Sequence, residues 1–123
     1  MSQEKNVAAD PRATPFSVSS EDEGGATVIS VVGELDLSTA PQLEECLRSA
    51  GANVVVDLSA CEFIDSTGIA LIVRAAQGSD GDGARIALCG LKQQVLRVLQ
   101  VAGVEDMIPT KPTRQEAIET LRS

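Results

Sequence analysis

A short run of β-branched residues followed closely by a helical pattern constrains the fold of this chain most. Residues 54–58 predict a strand buried on both faces, and therefore a central strand of a parallel sheet. From Ile69 onward, apolar residues recur three and four positions apart, as on one face of an α-helix. Ser66 lies between the two patterns, where the chain passes from the carboxyl end of a strand into a helix. Open α/β sheets place their functional sites at such points.

Strand and helix patterns alternate through the rest of the chain. Strands are predicted near residues 16–20, 27–33 and 85–89, with a short extended piece at 107–109, and helices at about residues 40–50, 66–77, 91–102 and 114–121. This alternation implies an α/β fold with a mostly parallel sheet, right-handed crossovers and one hairpin strand at the edge. The pattern alone favours helices on both faces of the sheet. Phe63 and Ile64 are predicted to be core residues.

The chain has 123 residues, which is enough for one domain with one core. Residues 1–15 are polar, contain two prolines and show no periodicity, so we expect a disordered tail before a single domain at residues 16–123. No apolar stretch approaches the roughly 20 residues of a bilayer span. The start of the chain also lacks the basic and apolar pattern of a signal peptide. We therefore expect a cytoplasmic protein without membrane contact.

Composition excludes several classes of function. The formal net charge is −8 and there is no Trp or Tyr, which argues against direct nucleic-acid binding and favours a partner with a basic face. Without His, the chain cannot build a Ser-His-Asp triad or a His-ligated zinc site. The three cysteines are predicted to be small buried hydrophobic residues. The Gly/Asp-rich loop at residues 78–83 lacks the ordered ligands of a calcium loop, so we expect no metal and no cofactor.

Two interpretations of Ser66 follow from its position. Asp65 and Ser66 could simply cap a helix. Alternatively, a phosphate on the Ser66 hydroxyl would meet the unpaired N–H groups and the positive end of the helix dipole. The chain has no nucleotide-binding loop and no adjacent base, so a separate kinase would have to supply base, magnesium and nucleotide.

Two motifs resemble the hallmarks of the STAS family, named for sulphate transporters and anti-sigma factor antagonists. One is Gly33-Glu34-Leu35-Asp36 at the end of a strand, and the other is Asp57-Leu58-Ser59 followed by Phe63-Ile64-Asp65-Ser66-Thr67-Gly68. The resemblance runs from about residue 16 to residue 121. It implies a STAS-like, mixed and mostly parallel sheet of four to five strands, with about four helices on one face. One departure is Ala70, where the family often has Gly.

The resemblance also implies that the chain is an anti-sigma factor antagonist and not an enzyme. The unphosphorylated form would bind an anti-sigma factor that is also a serine kinase, and so free a sigma factor. Phosphorylation of Ser66 would end this binding, and a serine phosphatase would reset the protein. The residues implied for partner binding are Asp36, Leu37, Ser38, Asp65, Thr67, Gly68 and Ile69. A loop cap before the following helix is an equally weighted role for Asp36.

Two other classes of protein stay open at this point. A phospho-aspartate receiver has a similar length, an Asp after a Val-rich strand, as at Asp57, and a late Lys-Pro, as at Lys111. A receiver, however, carries paired acids after its first strand, whereas Glu34 and Asp36 are separated by one residue. The second alternative is a STAS module that is not phosphorylated and that binds a ligand or scaffolds a complex.

Overall fold

The computed structural model describes residues 15–77 and 85–122, and five strands alternate there with four α-helices. The strands are β1 (Ser17–Glu23), β2 (Ala26–Leu35), β3 (Asn53–Ile64), β4 (Arg85–Cys89) and β5 (Thr110–Lys111). The helices are α1 (Ala40–Ser49), α2 (Ser66–Gln77), α3 (Gln93–Val101) and α4 (Arg114–Arg122), with a short 3-10 turn at Val104–Asp106 after α3. Residues 1–14 of the predicted tail and the predicted loop at residues 78–83 lie outside the described residues.

The strands form one sheet in the order β1-β2-β3-β4-β5. β1 and β2 are an antiparallel hairpin at the edge, and all other neighbours are parallel. The predicted class, a mixed and mostly parallel sheet of four to five strands, is therefore confirmed. Val54, Val55 and Val56 have no exposed surface, which confirms that β3 is a central strand buried on both faces.

Helices cover both faces of this sheet. α1, α2 and α3 pack on one face, against a core that includes Val54, Val56 and Leu88. α4 packs on the opposite face, where its residues Ala117, Ile118 and Leu121 meet Val55, Ala87 and Cys89. This differs from the arrangement of about four helices on one face that the resemblance implied. The reason is that apolar residues occupy both sides of β3 and β4, and each side needs a cover to leave water.

β3 is longer than the predicted strand and positions the site described below. It continues past residue 58 to Ile64 and pairs with β2 between Val54 and Ile64, through two register shifts. The second shift lies between the pairs Gly33–Cys61 and Glu34–Phe63, so Glu62 has no partner residue on β2. Such a bulge changes which side chains face the core. β5 likewise begins at Thr110, just after the short extended piece predicted at residues 107–109.

Candidate functional site at the carboxyl ends of β2 and β3

The carboxyl ends of β2 and β3 lie side by side. Leu35 pairs with Ile64, and the Asp65 N–H donates a hydrogen bond of 3.1 Å to the Leu35 carbonyl. The two segments that leave the sheet here, one leading to α1 and the other to α2, therefore start from the same edge. Asp36 follows the first strand directly and Ser66 follows the second after one residue, so both belong to this edge.

Ser66 is the first residue of α2, and its side chain is exposed. Ser66 thus lies where the chain passes from a strand into a helix, as the sequence predicts. Asp65 provides the cap, since its Oδ1 accepts hydrogen bonds from the N–H groups of Thr67 at 2.9 Å and Gly68 at 3.2 Å. The Ser66 hydroxyl has no hydrogen-bond partner in the part of the chain that the structure describes. The capping role thus falls to Asp65 and leaves the Ser66 hydroxyl unengaged.

The sequence predicts that a phosphate on Ser66 would meet unpaired N–H groups at the start of the helix. Two of the N–H groups there, those of Thr67 and Gly68, are already bonded to the Asp65 carboxylate. A phosphate on Ser66 would thus lie beside a carboxylate, at a helix end whose dipole still favours negative charge.

Asp36 organises the segment between β2 and α1. Its Oδ1 accepts hydrogen bonds from the Ser38 hydroxyl at 2.8 Å, from the Ser38 N–H at 3.0 Å and from the Thr39 N–H at 3.2 Å. The Ser38 hydroxyl, with help from these N–H groups, holds the pKa of Asp36 below its usual value. The structure therefore supports the role of a loop cap, and it places this cap on the edge that carries Ser66. Within the loop that Asp36 fixes, Leu37 is 74% exposed.

Gly68 allows α2 to approach the strand ends closely. A Cβ at this position would lie 2.8 Å from Leu35 Cγ, closer than real Cβ contacts allow, and 3.0 Å from Ile64 Cγ1. Gly68 is buried, so it lies beneath the surface that carries Ser66. Thr67 and Ile69 are half-buried, and Ile69 packs against the core.

The prediction that Phe63 belongs to the core is wrong, whereas Ile64 is buried as expected. Phe63 is 46% exposed, and Ile64 is 1% exposed. Phe63 and Ile64 are neighbours in β3 and therefore point to opposite faces of the sheet, and Ile64 is the one that joins the core. The signal available in the sequence was this adjacency, since two consecutive strand residues cannot both face the same core.

Acidic side chains surround the strand ends. Glu34, Asp36, Glu62 and Asp65 come from the last residues of β2 and β3 and from the residues just after them. Lys92, at the start of α3, pairs with Glu62 at 3.9 Å, and both side chains are more than a third exposed. An exposed pair at this distance contributes at most about 1 kcal/mol. The edge is therefore predominantly negative.

Asp57, the acceptor in the receiver alternative, lies elsewhere. It is within β3, and its Oδ2 accepts a hydrogen bond of 2.8 Å from Arg114 at the start of α4. Burial alone would raise the pKa of Asp57, but the hydrogen bonds from Arg114 and from the Ser59 N–H outweigh it and lower that pKa. Arg114 also pairs with Glu21 and Glu23 on β1. A carboxylate held in this way has a structural role, which disfavours the receiver alternative.

Two of the three cysteines are buried. Cys61 and Cys89 are buried as predicted, whereas Cys46 is half-buried. Burial raises the pKa of the Cys61 thiol, and burial together with the nearby Asp57 carboxylate raises the pKa of Cys89 to about 12. Both thiols are therefore protonated and unreactive at neutral pH.

Among the described residues, no helix is both long and apolar enough to cross a membrane.

Comparison with known proteins identifies relatives along most of the chain. The STAS domain model matches residues 17–117. An anti-sigma-B factor antagonist of Listeria monocytogenes is 30% identical over 92 residues, which cover 72% of this chain and 81% of the relative. One from Staphylococcus epidermidis is 31% identical over 84 residues, covering 65% of this chain and 78% of the relative. The crystal structure of an anti-sigma factor antagonist from Mycobacterium paratuberculosis superimposes with a TM-score of 0.74, at 28% identity, and covers 94% of this chain and 99% of that one.

Proposed function

The chain belongs to the STAS domain family, and we propose that it acts as an anti-sigma factor antagonist whose partner binding is switched by phosphorylation of Ser66. In the cytoplasm, the unphosphorylated protein binds an anti-sigma factor with serine kinase activity, and a sigma factor is released. Phosphorylation ends the binding, and a serine phosphatase restores it. The observation that carries this proposal is the exposed Ser66 hydroxyl at the start of α2, with no hydrogen-bond partner among the described residues.

Phosphorylation at this position acts on binding and leaves the fold intact. In the free protein the phosphate stays in water, because Ser66 is exposed and its hydroxyl supports no contact within the described residues. In a complex, a group with a charge of about −1.5 to −2 would be buried beside the Asp65 carboxylate. Removing such an ion from water costs several kcal/mol unless the partner compensates it fully. A loss of that size weakens the interaction by about 100-fold or more.

The chain receives its phosphate from another protein. No His is present, and Asp65, the carboxylate next to Ser66, is engaged in capping α2. No group in this arrangement is therefore placed to take the hydroxyl proton, and the kinase supplies base, magnesium and nucleotide. We propose that the chain is not itself an enzyme.

Mapping the phosphate tests this function directly. The wild-type chain, Ser66→Ala and Thr67→Ala are each incubated with the purified anti-sigma serine kinases of the same genome, one at a time, with ATP and magnesium. We expect one kinase to modify the wild type and Thr67→Ala on Ser66, as located by mass spectrometry, and to leave Ser66→Ala unmodified. Phosphate on Thr67, or an acid-labile phosphoryl group on Asp57, would contradict the proposal. If no kinase modifies the chain, the alternative of a STAS module that is not phosphorylated is favoured.

A further inference from the structure

The face of the sheet under α4 is only partly covered. α4 begins at Arg114, whose guanidinium donates hydrogen bonds to Asp57 on β3 and to Ser30 on β2. Both strands continue past these residues, to Leu35 and Ile64. The sheet beyond the start of α4 is therefore a surface that the helices of the described chain leave open.

Phe63 lies on this open part of the sheet. Its neighbour Ile64 faces the core under α1, α2 and α3, so Phe63 points to the opposite face by the alternation of the strand. Phe63 pairs in register with Glu34, and Ala60 pairs with Val32. Phe63, Glu34 and Ala60 are exposed, and Val32 is half-buried. Phe63 is thus a large apolar side chain on a small open surface, three positions before Ser66 in the chain.

Leu37 is a second exposed apolar side chain close to Ser66. It follows Leu35 by two residues, and the Leu35 carbonyl is hydrogen-bonded to the Asp65 N–H next to Ser66. Three residues span at most about 11 Å, which bounds the distance between the Cα atoms of Phe63 and Ser66. A standard protein interface covers about 800 Å² on each partner, a disc of roughly 16 Å radius. A partner centred on Ser66 therefore covers both apolar side chains.

The charge around these side chains limits what can dock there. Glu34, Asp36, Glu62 and Asp65 lie at the same strand ends, and among the described residues the cation paired with them is Lys92. In a two-fold dimer of this chain, these acidic residues of one copy would face those of the other, and like-charge repulsion disfavours that arrangement. A partner with Lys or Arg around an apolar pocket complements this surface.

We propose that Leu37 and Phe63 are the two apolar anchors that hold the anti-sigma factor, and that its contact face is an apolar pocket rimmed by cations. The inference rests on the proposed function and assigns affinity and switching to different residues. The two anchors provide the affinity, and the nearby Ser66 provides the switch. Large apolar side chains near the centre of an interface carry most of its binding energy.

Calorimetry with the anti-sigma serine kinase that modifies Ser66 tests the anchors. Leu37→Ala and Phe63→Ala are each expected to weaken binding by about 10-fold or more. Val101→Ala is the matched control, since Val101 is 85% exposed at the end of α3 and therefore near the amino ends of the strands, opposite Ser66. Its affinity should equal that of the wild type. Glu34→Gln should slow association without a comparable change in dissociation, and the effect should fade as salt is raised.

The outcomes distinguish the inference from the function on which it rests. If Ser66→Asp abolishes binding but Phe63→Ala and Leu37→Ala bind as tightly as the wild type, the anchors are wrong and the switch stands. If the wild type binds none of the kinases, the proposed function fails and the anchors fail with it. If the wild type is a dimer that Phe63→Ala converts to a monomer, the surface joins two copies of this chain and the inference is overturned. Thermal unfolding of each variant, with a midpoint near that of the wild type, excludes misfolding as the cause of weak binding.

Discussion

Replacing Gly68 by Ala should destabilise the protein, although Ala is the better helix former. The added methyl group would lie 2.8 Å from Leu35 Cγ, 2.9 Å from Leu35 Cδ2 and 3.0 Å from Ile64 Cγ1. Overpacking of this kind costs about 1–3 kcal/mol. The gain in helix propensity returns about 1 kcal/mol. The net effect is a loss of up to about 2 kcal/mol, which lowers the unfolding midpoint of a domain of this size by up to roughly 10 °C.

Thermal and urea unfolding of the Gly68→Ala variant measure this loss. Gly51→Ala is the matched control, because a Cβ there meets only Thr27 Oγ1, at an ordinary 3.7 Å. We expect the control to be unchanged or slightly more stable, since Ala restricts the unfolded chain. A Gly68→Ala protein as stable as the wild type would refute the close packing of α2 on the strand ends, and with it our account of what positions Ser66.

Three further predictions concern stability, acid dependence and activity. Asp65→Ala should cost about 1 kcal/mol in urea unfolding because α2 loses its cap, whereas Ser66→Ala should cost little; the reverse order would contradict the assignment of the cap to Asp65. Arg114→Met should lower the free energy of unfolding at pH 7 by about 1–3 kcal/mol, since Asp57 is left half-buried without its partner. The folded-state pKa of Asp57 is lowered, so the stability from this pair is present above the unfolded pKa and is lost as pH falls through the folded pKa. The difference in stability between wild type and variant should therefore shrink as pH falls below the ordinary value of 3.8, and an unchanged difference would contradict the prediction. The purified chain alone should not hydrolyse ATP, and measurable turnover that a substitution in this chain removes would overturn the proposal that it is not an enzyme.

The succession of strands and helices along the chain was predictable because each element carries its own periodicity, and their alternation predicted the mostly parallel sheet. Val54, Val55 and Val56 identified β3 as central, and the position of Ser66 after it followed from the change of period. The cover of both faces was also favoured by the pattern alone, and α4 bears this out. The resemblance to the STAS family implied instead that the helices lie on one face of the sheet. A family resemblance does not take account of the particular apolar residues on the second side of β3.

The local details of the site could not be predicted from the sequence, because they depend on contacts between distant parts of the chain. The extension of β3 to Ile64 depends on pairing with β2, which no local pattern contains. The exposure of Phe63 depends on how far α4 covers the second face of the sheet, which no local pattern contains. Either Asp65 or Ser66 could have capped α2, and only the hydrogen bonds of the structure assign the cap to Asp65.

The affinity of one anti-sigma serine kinase for this chain, with and without phosphate on Ser66, tests the central claim most directly. The kinase chosen is the one that modifies the chain, and the two forms are separated and titrated by calorimetry. We predict that the phosphorylated form binds at least about 100-fold more weakly, a loss of about 2.7 kcal/mol, while its unfolding midpoint stays close to that of the unmodified form. Equal affinity of the two forms would contradict the claim that phosphorylation of Ser66 switches binding.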